Sequence, residues 1–163
     1  CTAIGRATHT PVPDRRGARS GEAIYVTGAL GRAMLGISDR DSGSVNDLAY
    51  RRPRPLLTVG HKLVPHVGAM MDVSDGLLLD CWRMARASGL GFALESGAIP
   101  VADRDRFDEC IRWGDDYQLL FTAPVSAELP VPAARIGMVE GAQPFLSLDG
   151  RILDPEDGLG YRH

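Results

Sequence analysis

Asp72–Gly76 reads DVSDG, and this stretch places two carboxylates and a hydroxyl at the junction of two predicted elements. An apolar run, Val67–Met71, precedes it and predicts a strand, and the pattern over Leu77–Ala87 predicts a helix. Carboxylate oxygens suit Mg²⁺, which commonly takes one or two protein carboxylates and shares its other positions with water and phosphate. A helix N-terminus binds phosphate through its unpaired N–H groups. The junction therefore suits both a metal ion and a phosphate.

Helix capping also accounts for the same residues. Ser74 or Asp75 makes an ordinary N-cap, and Asp is common in the first turn of helices. A calcium loop fits poorly, because the EF-hand pattern needs Glu at its twelfth position, where this chain has Arg83, and its glycine comes one position later than Gly76. The motif by itself leaves magnesium binding and capping open.

The composition is typical of a single globular domain. The 163 residues are 44% hydrophobic and 24% charged, and a chain of this length can bury a substantial core. We predict no membrane span, since the longest central stretch without charge, Tyr117–Ala127, is short and contains Pro124. No signal peptide is expected, because Arg6 and His9 interrupt the start of the chain.

The cysteines and histidines do not form a metal-binding pattern. The three cysteines are widely spaced and form no C-x-x-C pair, which indicates a reducing, cytoplasmic compartment and argues against a zinc site. The histidines also lack the spacing of metal ligands. These residues are Cys1, Cys81 and Cys110, and His9, His61, His66 and His163.

Charge is unevenly distributed along the chain. Residues 1–68 hold ten Lys/Arg and five Asp/Glu, a net of +5, and residues 69–163 hold eight against sixteen, a net of −8. This division suits a polyanion held through Mg²⁺ and guanidinium groups, or it is ordinary surface charge. The acidic overall balance argues against nucleic acid as a partner.

The order of predicted elements indicates one α/β layered domain over residues 1–163, with a mixed sheet flanked by helices. The turn Gly28–Gly31 could hold phosphate or serve tight packing, because it lacks the full phosphate-binding motifs. In the helix that follows DVSDG, we expect Leu78, Cys81, Trp82 and Ala85 to face the core. The predicted strands are Ala23–Thr27, Gly91–Leu94, Tyr117–Thr122 and a closing pair, Ala134–Val139 with Phe145–Leu148; the other predicted elements are short helices near Arg32–Ile37, Leu56–Val64 and Asp103–Cys110, a polar loop at Ser38–Asp47, and a hairpin turn at Asp149-Gly150.

Six segments resemble one enzyme family in their order and content. They are GARSGEAIYVTGALG (Gly17–Gly31), RRPRP (Arg51–Pro55), MDVSDGLLLD (Met71–Asp80), ASGLG (Ala87–Gly91), WGDDYQLLFT (Trp113–Thr122) and GYRH (Gly160–His163). From about Arg15 to the end, the chain resembles the C-terminal half of thiamine-monophosphate kinases, in the superfamily of aminoimidazole ribonucleotide synthetase and selenophosphate synthetase. The N-terminal half of that family, which carries most of the ATP site and the dimer interface, has no counterpart in this chain.

The resemblance implies phosphorylation of thiamine monophosphate to thiamine diphosphate, with ATP as donor and Mg²⁺ as cofactor. By position, Asp72 and Asp75 correspond to magnesium ligands, and Ser74 corresponds to a contact to ATP. Arg15 matches an arginine that reaches the nucleotide, with Arg16 as the alternative if the alignment shifts by one. The full-length protein is expected to be a homodimer through the absent domain, and the fragment alone to be inactive or nearly so.

The substrate contacts implied by the resemblance fall in the last third of the chain. The first acidic residue of the family's G-G-E-D-Y-E motif corresponds to Asp115, and an aromatic residue near the C-terminus corresponds to Tyr161. The motif reads W-G-D-D-Y-Q here, so Trp113 replaces glycine, and Asp115 and Gln118 replace glutamate. Asp is one methylene shorter than Glu, so Asp115 reaches substrate differently or through water.

The reaction needs no general base, because the acceptor phosphate is largely ionised near neutral pH. We therefore assign no acid, base or nucleophile, and expect in-line transfer that depends on charge neutralisation. Two other functions remain open: a non-catalytic or regulatory nucleotide- or metabolite-binding domain of the same fold, and another phosphotransfer enzyme of the superfamily. The changes at Asp115 and Gln118 favour the first of these.

Overall fold

A seven-stranded mixed sheet forms the centre of the computed structural model, which describes residue 2 and residues 4–161. The strands lie in the order β2-β4-β1-β5-β3-β6-β7. Neighbouring strands are antiparallel, apart from the parallel pair β3 and β6. They are β1 (Glu22–Val26), β2 (Met70–Asp72), β3 (Gly91–Leu94), β4 (Leu119–Pro124), β5 (Ala134–Glu140), β6 (Phe145–Leu148) and β7 (Arg151–Ile152). The predicted α/β fold with a mixed sheet is confirmed.

Five α-helices accompany the sheet within the described residues. They are α1 (Arg32–Ser38), α2 (Val45–Arg51), α3 (Leu57–Leu63), α4 (Leu77–Ser88) and α5 (Phe107–Arg112), with short 3₁₀ turns at Val64–His66 and Ser96–Ala98. Helix α4 ends at Gly89, whose left-handed backbone (φ 72°) returns its N–H to the carbonyls of Ala85 and Arg86. No helix in the described part of the chain has the length and apolar character needed to cross a bilayer.

The two faces of the sheet bury separate hydrophobic clusters. Successive side chains of a strand point to opposite faces, and on β1 Ile24 joins the cluster beneath α4, whereas Tyr25 joins the cluster beneath α3. All five residues of β1 are buried; four are apolar, and the carboxylate of Glu22 accepts a hydrogen bond from Oγ1 of Thr122 (2.6 Å). In α4, Leu78, Cys81 and Ala85 are fully buried and Trp82 packs against the same core, which confirms the predicted face.

Two predicted features are wrong. The polar loop Ser38–Asp47 contains the start of α2, which Ser44 caps by accepting a hydrogen bond from the N–H of Asp47 (3.1 Å). The predicted pairing of Ala134–Val139 with Phe145–Leu148 does not form, because β3 lies between the two strands and pairs with both. The hairpin between β6 and β7 is confirmed.

Some sequence predictions concern residues that the structure leaves undescribed. Cys1 and the last two residues of the GYRH segment, Arg162 and His163, lie outside the described residues. Within them, Cys81 and Cys110 are free and buried.

Asp116 ties the loop before β4 to the start of α1. Its carboxylate accepts hydrogen bonds from the backbone N–H groups of Gly31 (2.7 Å) and Ala33 (3.4 Å). A carboxylate of the chain itself therefore occupies the N–H groups of the turn that could have held a phosphate. Burial raises the pKa of Asp116 to about 6, although these N–H groups favour its ionised form; the charge of Asp115 adds to the rise.

Asp116 makes the stability of the fold depend on pH. Between about pH 4 and pH 6 the folded chain keeps the Asp116 proton while the unfolded chain has released it, so the free energy of unfolding falls as pH rises. The shift corresponds to about 1–3 kcal/mol. Asp116→Asn is expected to remove this part of the pH dependence, measured by urea unfolding at several pH values. Asp157→Asn, at an exposed position, serves as the control, and an unchanged slope in Asp116→Asn contradicts the prediction.

Candidate functional site

The pairing of β2 with β4 brings two distant motifs together. These strands are antiparallel, with Asp72 opposite Leu119, so the end of β2 lies beside the start of β4. The DVSDG turn leaves β2 at the point where the WGDDYQ segment (Trp113–Gln118) enters β4. Residues about 40 positions apart in sequence thereby share one corner of the sheet.

Backbone hydrogen bonds join this turn to two other segments. The N–H of Asp115 donates to the carbonyl of Ser74, and the N–H of Tyr117 donates to the carbonyl of Val73, each at 2.9 Å. The N–H of Tyr161 donates to the carbonyl of Asp75, also at 2.9 Å. The three segments therefore form one connected unit.

Glycine is required where these segments approach most closely. Gly114 has φ 97°, and a Cβ there would collide with the carbonyl of Ser74. A Cβ on Gly160 would collide with the carbonyl of Asp75. The close contacts that form the site thus depend on the absence of a side chain at both positions.

Two residues of the WGDDYQ segment adopt left-handed backbone conformations. Asp115 has φ 58° and Tyr117 has φ 50°, a region that residues with a Cβ seldom occupy. The Tyr117 hydroxyl donates a hydrogen bond to Oδ1 of Asp115 (3.1 Å). Such strain clusters at functional sites and persists where surrounding contacts hold it, as the hydrogen bonds to the DVSDG turn do here.

A cavity of about 500 Å³ opens beside this unit. Four of the six residues predicted for the site line it: Ser74, Asp75, Asp115 and Tyr161. The remaining lining residues are Arg112, Trp113 and Gly160. Trp113 is 47% exposed and Tyr161 is 59% exposed, so two aromatic rings are accessible at a cavity that also holds carboxylates.

Asp72, at the exposed end of β2, does not line this cavity. It lines a second, largely apolar cavity of about 480 Å³ together with Tyr117. Partial burial raises the pKa of the Tyr117 phenol, as do the charge and hydrogen bond of Asp115 and the charges of Asp72 and Asp75. One phenol therefore lies within the electrostatic influence of all three carboxylates.

Arg15 is not brought to the cavity. Its carbonyl accepts a hydrogen bond from Oγ of Ser88 (3.0 Å), at the C-terminal end of α4, and α4 rises about 17 Å from Leu77 to that end. The alternative residue, Arg16, pairs with Asp14. The nucleotide contact expected of Arg15 stays a prediction.

Helix capping by Ser74 or Asp75 is wrong. The residue at the N-cap of α4 is Gly76, which has no side chain to offer. Instead, Oδ2 of Asp80, one turn into the helix, accepts hydrogen bonds from the N–H groups of Ser74 (2.9 Å) and Asp75 (3.1 Å). Asp80 is fully buried, and its Oδ1 accepts a hydrogen bond from Nη1 of Arg83 (2.9 Å). The same Arg83 nitrogen contacts Oδ2 of Asp75.

The donors present suit Mg²⁺. No group of three or more His, Cys, Asp or Glu residues converges on a possible metal position within the described residues. Asp72 and Asp75 supply carboxylate oxygens on either side of the turn, and a magnesium ion usually completes its shell with water and phosphate. An ion held by these two residues would therefore depend on a phosphate ligand.

Sequence reasoning missed several residues that shape the site. Asp80 and Arg83 were available from their spacing, because residues three apart on a helix are neighbours. Arg112 gave no such signal: its Nη1 donates to the carbonyl of Gly158 (2.9 Å) and so holds the segment that carries Tyr161. Trp113 was noted only as a departure from the family motif, yet it lines the cavity.

Comparison with curated proteins finds thiamine-monophosphate kinases. The enzyme of Halobacterium salinarum is 36% identical over 171 aligned positions, which cover 96% of this chain and 58% of that protein. The enzyme of Methanospirillum hungatei is 37% identical over 157 positions, covering 91% of this chain and 52% of that protein. No family model matches the chain. The chain spans about half the length of the curated relatives it matches.

Solved structures give the same result for the fold. Thiamine monophosphate kinase from Aquifex aeolicus has a TM-score of 0.78 and 26% identity, covering 86% of this chain and 54% of that chain. AaThiL complexed with AMPPCP and TMP has a TM-score of 0.76 and 26% identity, covering 88% of this chain and 52% of that chain. Hydrogenase maturation protein HypE in complex with ATP, at 21% identity and a TM-score of 0.67 over 88% of this chain and 53% of that chain, shares the fold. By sequence and by fold, the chain is homologous to about half the length of the thiamine-monophosphate kinases.

Proposed function

We propose that this chain is the C-terminal half of a thiamine-monophosphate kinase, which transfers the γ-phosphate of ATP to thiamine monophosphate with Mg²⁺. The observation that carries the proposal is the common cavity of Ser74, Asp75, Asp115 and Tyr161. These four residues come from three separate motifs of the family. The relatives named above, and a related structure complexed with AMPPCP and TMP, support this choice of reaction and substrates.

Charge neutralisation is the main task of such a site. Donor and acceptor are both phosphates, and two unit charges about 4 Å apart repel by roughly 1 kcal/mol in water and about 4 kcal/mol near a protein surface. Asp72 and Asp75 would hold Mg²⁺, which neutralises phosphate charge when bound. Ser74 offers a hydroxyl to the nucleotide within the same turn. Arg15 would add a guanidinium contact to the nucleotide from the other end of α4.

The cavity suits the other end of the substrate. The thiazolium ring of thiamine monophosphate is a cation, and Asp115 supplies a carboxylate beside the exposed rings of Trp113 and Tyr161. Aromatic faces attract organic cations, by about 0.5–2 kcal/mol. The hydrogen bond from Tyr117 orients Asp115. These residues would therefore bind and position the acceptor.

The part of the relatives' length that this chain does not cover is also included in the proposal. It would supply the rest of the ATP site, further metal ligands and the homodimer interface, and the 163-residue chain alone would be inactive or nearly so. A non-catalytic binding domain of the same fold is the second candidate. Arg83 favours it, because a guanidinium that contacts Asp75 weakens cation binding there.

The carboxylates of the DVSDG turn give the first test. In the full-length protein, Asp72→Asn and Asp75→Asn are each expected to lower kcat by about 100-fold or more, because each removes a metal-binding oxygen charge. Steady-state turnover with a thermal melt measures this. Asp105→Asn makes the same change at an exposed site elsewhere and should match wild type. Unchanged turnover in either site variant contradicts the assignment.

The cavity gives a second test. Tyr161→Leu keeps an apolar side chain but removes the aromatic face, so the Kd for thiamine monophosphate is expected to rise about 3- to 30-fold. Calorimetric titration of the full-length protein with an unreactive ATP analogue present measures this Kd. Tyr50→Leu changes an exposed tyrosine on α2 and serves as the control. Absence of any thiamine monophosphate binding to wild type would favour the non-catalytic alternative.

A further inference from the structure

Arg83 connects the exposed and the buried carboxylate of the DVSDG corner. Its Nη1 contacts Oδ2 of Asp75 and lies 2.9 Å from Oδ1 of Asp80. The side chain of Arg83 is 32% exposed, that of Asp75 is 13% exposed, and that of Asp80 is fully buried. The guanidinium therefore bridges a carboxylate at the cavity and a carboxylate in the core.

Asp80 and Asp75 need this cation for different reasons. Burial raises the pKa of Asp80, and hydrogen bonds from the N–H groups of Asp75 and Ser74 and from Arg83 oppose the rise. Removing one partner of a buried ion pair leaves a charge without compensation, which is strongly destabilising. The contact to Asp80 therefore belongs to the fold. The contact to Asp75 lies at the cavity that Asp75 lines, where a bound ion could reach the same carboxylate.

Arg83 keeps its positive charge near neutral pH. Burial acts to lower its pKa, but hydrogen bonds to Asp75 and Asp80 and the charges of both carboxylates outweigh burial and raise it. A divalent ion bound at Asp75 would have to share that carboxylate with the guanidinium or displace it. Two cations close to one carboxylate repel each other, and the low exposure of the corner limits screening of this repulsion.

We propose that Arg83 is a built-in competitor for the divalent cation: it occupies Asp75 when no ion is bound, and it sets the affinity of the corner for that ion. The inference rests on the proposed metal site at Asp72 and Asp75. When an ion binds, the contact between Arg83 and Asp75 gives way, while the contact to Asp80 keeps the turn in place. Arg83 is thus a positioning residue, and cation binding is weaker than the two carboxylates alone would give.

This arrangement ties ion binding to the nucleotide. An ion that must compete with a guanidinium for Asp75 gains from the extra phosphate oxygens that a nucleotide brings. Free Mg²⁺ would bind weakly, and the ion would arrive together with the triphosphate. When no ion is bound, the guanidinium of Arg83 also reduces the repulsion between the carboxylates of Asp75 and Asp80.

Arg83→Gln tests the proposal, because glutamine keeps a hydrogen-bond donor near Asp80 but loses the charge. Mn²⁺ binding to the full-length protein without nucleotide is measured by electron paramagnetic resonance of the free ion. We expect the Kd for Mn²⁺ to fall about 5- to 30-fold in the variant, the size of a change of roughly 1–2 kcal/mol. Arg86→Gln, which removes the same charge from an exposed position on α4, should leave the Kd unchanged.

A double-mutant cycle separates competition at Asp75 from a general effect of charge. In an Asp75→Asn background, Arg83→Gln should no longer tighten Mn²⁺ binding, because the shared carboxylate is gone. The same tightening in both backgrounds overturns the proposal. A thermal melt of each variant measures the contribution of the Arg83–Asp80 pair to stability. If Arg83 were purely structural, its replacement would change the Tm and leave the Kd for Mn²⁺ unchanged.

The remaining outcomes distinguish failure of the proposed metal site from failure of competition by Arg83. If wild type binds no Mn²⁺ with or without ATP, the proposed metal site fails and this inference fails with it. If wild type binds Mn²⁺ and Arg83→Gln binds it equally or more weakly, only the inference is overturned. Should Arg83→Gln not fold, Arg83→Lys is used: its ammonium is more strongly hydrated and lacks the planar fork. A decrease in the Kd for Mn²⁺ that is smaller than the one expected for Arg83→Gln supports the proposal, and an unchanged Kd overturns it.

Discussion

The buried carboxylate of Asp80 is the interaction on which the rest of the corner depends. Its two oxygens bind the N–H groups of Ser74 and Asp75 and the guanidinium of Arg83. These bonds fix the turn between β2 and α4 without any capping side chain at Gly76. A carboxylate buried in this way is stable only when its partners are all present. The chain thus uses one acidic residue for its fold so that its neighbours remain directed at the cavity.

Around this turn, backbone bonds assemble the other two segments. Carbonyls of the turn accept hydrogen bonds from the N–H groups of Asp115, Tyr117 and Tyr161. The glycines that precede Asp115 and Tyr161 permit the close approach. These bonds hold Asp115 and Tyr117 in left-handed conformations. The backbone strain therefore lies at the residues whose side chains the site must orient. Acidic groups and exposed aromatic rings then meet at one cavity, as the proposed binding of a cationic ring requires.

Much of the fold follows from local signals, and the failures have physical causes. The apolar run in β1 and the helical spacing in α4 predicted a strand and a helix correctly, because each type of element produces its own pattern of apolar residues. The start of α2 was missed since it follows a polar segment, residues 38–44, although Ser44 and Asp47 have the spacing of a cap. The strand order was wrong at β3, because pairing between distant segments depends on the packing of the entire sheet, which no short window of sequence contains.

The sequence by itself determined the family resemblance, the mixed α/β class and the motifs that carry Ser74, Asp75, Asp115 and Tyr161. Motif chemistry is local, so residue type and spacing suffice to recognise it. Tertiary structure alone decided that these four residues share a cavity, that Arg15 lies at the far end of α4, and that Arg83 bridges Asp75 to Asp80. Such relations depend on which strands pair and which side chains are buried together. Both depend on the packing of the complete chain, and no short segment of sequence specifies them.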